Sequence, residues 1–344
     1  MEPEVLGAMI AACASFVIAV GSLGASRWSQ GRVTRLEAEL AERAAVRNAR
    51  IEYEFEARKR LYEECGPILF HLSELAERAT DRISGLARRG AEGRLDAGWS
   101  WLDQNQYYRE STYYRLFAPL AAGLIFRRKL THLNTSLDEN IHWQYTLVKV
   151  LEDTFVNAFD IAGQDSWRVT LPRELWIDYD PNGTAKDQPR EERTATTWPQ
   201  GVARGRLENA AESLVVHDEK GRAAIMSFHS FQMALAEGGE PERTHQAFKV
   251  LDYLFDDFRP HHRPVLWRVL VTQFLIYRAL ETSMKPPERG EDPWAALAAE
   301  GWPRLDYRSA EQKAAVSEEE AQTPLRVAQH YVRARTAGFR TGAA

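Results

Sequence analysis

Three hydrophobic patterns follow one another along the chain. From Val5 to Ala25, "VLGAMIAACASFVIAVGSLGA", no position is charged. Twenty-one helical residues extend about 32 Å, close to the thickness of a bilayer core, whereas a soluble helix keeps a polar face. The pattern predicts a transmembrane helix. The second pattern is a heptad. Val33, Leu36 and Leu40 begin it, it slips near Ala44, and from Ile51 through Phe55, Arg58, Tyr62, Cys65, Leu69 and Leu72 to Leu86 it alternates by four and three. That spacing puts one apolar seam on a long helix, able to pair with an identical helix or to pack on later helices of the same chain. Pro67 after Gly66 predicts a kink there. The third pattern, beyond Arg94, is a series of amphipathic helices with polar breaks.

Within that series, a helix is predicted over 112–133, striped by Tyr113, Leu116, Phe117, Leu120 and Leu124. Ser136 and Glu139 in "SLDE" read as a capping box for the next, which Gly163 ends. "WRVTLP" reads as a short strand, and residues 178–205 as a polar, mobile loop. Helices resume over 206–216 and 222–237, and another begins at Pro241 and carries Leu251, Leu254 and Phe258. "RPVLWRVLVTQFLIYRALETSM" is apolar on nearly every side and too short in its uncharged run to span a bilayer, so it is the expected central helix of a bundle. From Pro303 the chain reads as a polar tail with one helix, capped by Ser317 and Glu320.

The fold class expected is therefore mostly α: an N-terminal transmembrane helix, a helical stalk or coiled coil, and a cytoplasmic α-helical bundle with at most one short strand. The boundaries fall at 1–25 for tip and span, 26–66 for the stalk, 67–302 for the helical domain and 303–344 for the tail.

Charge sets the orientation. Glu2 and Glu4 precede the span, and Arg27, Arg32, Arg35 and Arg43 follow it. A cleaved signal peptide needs a positive stretch first, and positive residues stay on the cytoplasmic side. The expectation is a single-pass protein of the inner (cell) membrane, N-terminus outside and body cytoplasmic. Gly7, Ala11, Ser15 and Ala19 fall four apart on one face of the span, where small residues let two membrane helices approach. The 344 residues are 44% hydrophobic and 27% charged, with net charge −5. No basic field points to nucleic acid. The two cysteines, Cys13 and Cys65, give no disulfide framework and fit a reducing compartment.

The stretch "YEFEARKRLYEECGPILFHLSE", Tyr53 to Glu74, resembles a family of single-span, mostly helical proteins from actinobacteria. That resemblance implies the same architecture. The family has no established activity, so it implies no catalytic residue.

Candidate chemistry is sparse. Asp178, Asp180 and Asn182 in "DYDPNG" match the first half of a calcium loop, but Pro189 stands where the closing Glu belongs. Glu139 and His142 have the E-x-x-H spacing of di-iron bundles, without the second copy such a site needs. His261, His262 and Arg263 in "RPHHRP" stand at a helix entrance, where an anion could bind. No nucleophile elbow, zincin, Walker or dinucleotide-binding motif is present. No cofactor is implied. The seam residues Ile51, Phe55, Tyr62, Leu69 and Leu72 point instead to a membrane-anchored scaffold or interaction protein. Its expected partners are the lipid bilayer, a second copy of itself and a further protein. The alternative is a membrane-tethered ligand sensor or effector that signals through stalk and span.

Overall fold

The computed structural model describes residues 3–95, 102, 105–164, 169–180, 198–236, 242–288 and 290–341, with most side chains before residue 35 outside the description. The chain divides into two compact units, Met1–Arg60 and Leu61–Ala344. One helix, α1, runs Pro3–Ala91. Its Ala, Glu, Arg and Leu content favours helix throughout. Among the described residues no helix is long and apolar enough to cross a membrane. The Val5–Ala25 reading falls largely outside the described side chains, Ala11 and Ala19 included, while Gly7 and Ser15 lie exposed on the helix.

The second unit is a helical bundle. After α1 come α2 (Gln106–Leu130), α3 (Glu139–Val156), α4 (Ala158–Ala162), α5 (Arg204–Ser213), α6 (Phe228–Leu235), α7 (Glu242–Lys249), α8 (Pro264–Glu281), α9 (Pro293–Leu305), α10 (Gln312–Ala315) and α11 (Glu318–Thr336). The central helix is α8, as its apolar run predicts. Every residue from Val265 to Tyr277 is buried, and α8 packs on α11, α3, α4 and α9. Two buried arginines on and before α8 spend their charge on backbone. Arg268 donates to Leu175 O at 2.6 Å and Ile161 O at 3.3 Å. Burial brings its pKa down to about 10. From Leu61 onward α1 joins this core through Leu61, Cys65, Leu72, Ala76, Ala79, Ile83 and Leu86, with the helix continuous through Pro67. A proline inside a helix removes one backbone hydrogen bond. Here Cys65, Ile68 and Leu72 are buried on both sides of it, and packing holds the helix together.

Several expected elements differ. The expected single strand at "WRVTLP" is absent from its described residues, Val169–Pro172, where Val169 and Leu171 are buried without a ladder. The fold instead has a two-stranded antiparallel hairpin, β1 (Val215–His217) with β2 (Ala223–Ile225), so "at most one short strand" is corrected. It interrupts the region expected to be two helices. Asp218 closes its turn by accepting from the backbone nitrogens of Lys220 and Arg222 at 2.9 and 2.8 Å, with Gly221 at φ +74°. The "SLDE" capping box is also corrected. Asp138 is the N-cap of α3 and accepts from Ile141 N at 3.0 Å, while Ser136 lies in a 3-10 turn over Thr135–Leu137. Both are good caps, and the carboxylate stands next to the helix. The second capping box, Ser317 with Glu320, forms in both directions.

The helix expected to run on from Pro241 stops at Lys249. Leu251, Leu254 and Phe258 are buried from turns instead. The polar tail proves to be core: α11 buries Ala321, Leu325, Ala328, Tyr331 and Val332 against α8. The flanks of the loop expected to be mobile are tied down. Ile177 N bonds Ala162 O at 2.8 Å, Tyr179 is buried, and Gln200 is fully buried. Gly163 ends α4 at φ +92° with its nitrogen on Phe159 O, the left-handed stop that glycine takes without strain.

Candidate functional site

The heptad seam changes character along α1. In the first unit Leu36, Leu40, Ile51 and Phe55 are exposed, Phe55 by 65%. In the second unit Cys65 and Leu72 are buried in the core, Leu69 is half-buried, and Tyr62 is half-exposed with its hydroxyl donating to Asp138. Phe70 stands 68% exposed. It borders a hollow of about 420 Å³ lined by Tyr62, Leu69, Ile141 and Leu280. The later seam is thus spent on the chain's own domain, and the earlier seam presents apolar side chains to solvent. Burial holds the Cys65 thiol up at about 11, so it is a core residue and not a nucleophile.

A second feature was not expected from the motifs. A cavity of about 440 Å³ opens between α2 and α7. From α2 it takes Gln106, Arg109, Glu110 and Tyr113, and from α7 and the turn after it His245, Phe248, Lys249 and Asp252. The two sets share one spacing, i, i+3, i+4 and i+7, which is a single helical face on each side. Tyr113 and Phe248 form a buried floor, with ring centroids 5.8 Å apart, and Tyr113 donates to Leu251 O at 2.6 Å. Burial drives the Tyr113 hydroxyl well above its ordinary pKa, so it stays a neutral donor.

The walls are charged. Glu110, only 8% exposed, accepts from Gln106 Nε2 at 2.8 Å and from Gln232 Nε2 at 3.0 Å. Both partners are neutral amides. Arg109 reaches Asp256 at 3.2 Å, and His245 Nδ1 lies 2.9 Å from Leu235 O. Burial raises the Asp252 carboxyl; the Arg109 guanidinium opposes that and Asp256 adds to it. Sequence reasoning missed this site because its two faces lie more than a hundred residues apart. The shared spacing was the only signal.

The motif candidates fare differently. Asn182 lies outside the described residues; Asp178 accepts from Gln164 Nε2 at 3.2 Å. No group of three or more metal-ligating side chains comes together among the described residues. His142 shares a 3.0 Å contact with Thr135 Oγ1 and stacks on Phe339, while Glu139 is exposed. In "RPHHRP", Arg263 is turned inward: it donates to Pro199 O, Tyr253 O and Asp256 O and lies 3.9 Å from the Trp198 ring. Arg259 pairs with Asp257 at 2.7 Å, and burial lowers the pKa of His262 with Arg259 adding to the effect. The guanidinium groups of Arg259 and Arg263 are therefore engaged by protein oxygens.

No family model, curated protein or solved structure matches the chain.

Proposed function

We propose that this protein is a membrane-anchored helical scaffold that self-associates through the early part of the α1 seam. The uncharged Val5–Ala25 segment is its anchor in the cell membrane, with the N-terminus outside, the bundle cytoplasmic, and Gly7, Ala11, Ser15 and Ala19 facing the second span. The observation that carries the reading is the exposure of Leu36, Leu40, Ile51 and Phe55 on one continuous helix. An isolated helix gains little stability from propensity alone, and an apolar stripe in water favours a partner. Burying one such side chain contributes about 1.5–3 kcal/mol. A second copy supplies the same stripe, and confinement to a membrane raises its effective concentration. The test is the mass of the full chain in lipid nanodiscs or mild detergent. The scaffold requires a dimer or higher oligomer for the wild type, and mainly monomer for Ile51→Glu with Phe55→Glu at unchanged helicity.

A second reading, a membrane-tethered sensor or effector, is favoured by one feature, the charged cavity between α2 and α7. In that reading ligand binding in the bundle alters how the seam pairs.

A further inference from the structure

The exposed part of the seam is flanked by a charge pattern. The steps from Ile51 to Phe55 and from Phe55 to Arg58, four and then three, fix the heptad: Phe55 is an a position, and Ile51 and Arg58 are d positions. Three residues before Ile51 stands Asn48, also an a position. It is exposed, as Ile51, Phe55 and Arg58 are. The flanking positions follow from these. Arg47 and Glu54 precede the two a residues, at g, while Glu52 and Lys59 follow the two d residues, at e. All four lie in the first unit, on one helix. Arg47, Glu52 and Lys59 are exposed and form no ion pair among the described residues. Glu54 accepts from Arg50 Nε at 2.9 Å through one carboxylate oxygen, and its other oxygen keeps its acceptor positions.

In a parallel two-stranded coil each g residue faces the e residue about five positions on in the other helix. Arg47 then faces Glu52 of the second copy, and Glu54 faces Lys59 of the second copy. Both pairs are of opposite sign, and two-fold symmetry forms each of them twice. A slip of one heptad would set Arg47 against Lys59, or Glu54 against Glu52, like sign on like. In register, Asn48 also meets Asn48 across the seam. Two buried amides satisfy one another, and any other alignment leaves each facing a different group. The guanidinium of Arg58 reaches the rim on its long stem. We propose that the early seam assembles as a parallel, in-register pair of helices over residues 47–59, aligned by Asn48 and by the Arg47–Glu52 and Glu54–Lys59 pairs between copies. The proposal rests on the self-association reading and adds the alignment that the second copy takes.

The test mixes two full-length variants in mild detergent and reads the mass of the intact assemblies. Arg47→Glu and Glu52→Arg each turn an attractive contact into a repulsive one. Each alone is expected to dimerise roughly three- to tenfold more weakly than the wild type, at unchanged helicity. Mixed, the two complement each other, because both contacts at these positions are again of opposite sign. Heterodimers are expected to outnumber homodimers by about three to one or more at low salt, against the even split of random pairing, and the preference should fade near about 1 M salt. An antiparallel pair sets g against g and e against e, so the two changed positions do not meet and pairing stays random. Asn48→Leu is expected to associate more tightly and to admit assemblies larger than a dimer, because an amide at an a position costs stability and specifies the oligomer. Random pairing of the mixed variants, or weaker association of Asn48→Leu, overturns the alignment and leaves self-association standing. A monomeric wild type overturns both.

Discussion

Gln200 Oε1 accepts a hydrogen bond from the backbone nitrogen of Val265 at 2.9 Å, and so closes the N-terminus of the central helix from a loop 65 residues earlier. It also accepts from Leu266 N at 3.1 Å, and the Gln200 backbone nitrogen donates to Tyr179 OH at 2.8 Å. All of this is buried. Helix N-termini carry backbone donors without intrahelical partners, and burying them unsatisfied is costly. Gln200→Leu is therefore expected to destabilise the bundle by about 1–3 kcal/mol, read as a fall in Tm or in the urea midpoint. Gln200→Glu should cost less, since it keeps the acceptor. Equal losses for the two would show that the cap is not what Gln200 contributes.

Close packing between α2 and α3 gives a second prediction. A Cβ at Gly123 would stand 2.7 Å from Val148 Cγ1. The β-branched Val148 side chain is stiff and fully buried. Gly123→Ala should cost about 1–3 kcal/mol through overpacking, despite alanine's better helix propensity. In the double variant Gly123→Ala with Val148→Ala, most of that overpacking penalty should disappear. A neutral or stabilising single substitution would mean the two helices are further apart than described.

Cys65 should be chemically silent. Its thiol is buried and held up at about 11, with burial as the main cause. A thiol raised to that value keeps roughly a thousandth of its population as thiolate at pH 8, and only the thiolate attacks. The reactive fraction grows as pH rises toward 11 and is negligible below 8. In the Cys13→Ser chain, a thiol reagent at pH 8 is expected to label Cys65 only as fast as the bundle opens, and rapidly in denaturant. Rapid labelling of the native chain would remove Cys65 from the core.

What was legible in the sequence follows from how local each signal is. The central helix stood out because its apolar run is long and nearly unbroken. The Ser317–Glu320 cap could be read because no competitor stands beside it, whereas Ser136 lost to Asp138, which the same rule also favours. The β1–β2 hairpin went unread because three-residue strands give no period; its one local sign was "DEKG". The polar tail misled because α11 is charged on one face and apolar on the other, and its average hides the stripe of Leu325, Ala328, Tyr331 and Val332. The cavity left only the shared spacing of its two faces as a sign. Arg109 and Glu110 line one cavity with His245 and Lys249 only through tertiary packing, and each pair reads as a solvated face on its own helix. The seam was read as one feature, yet it divides near Leu61 into a core-facing part and an exposed part.

The central claim is that the exposed part of the seam is where two copies meet. The most direct measurement is a scan of introduced cysteines along residues 48–60 in the Cys13→Ser chain, with the buried Cys65 retained, cross-linked by mild oxidation in native membranes. The scaffold predicts disulfide dimers that peak at Ile51→Cys, Phe55→Cys and Arg58→Cys and fall at Tyr53→Cys, which is as exposed as they are but lies off the seam. A flat profile, or efficient cross-linking at Tyr53→Cys with none at Ile51→Cys and Phe55→Cys, would contradict it.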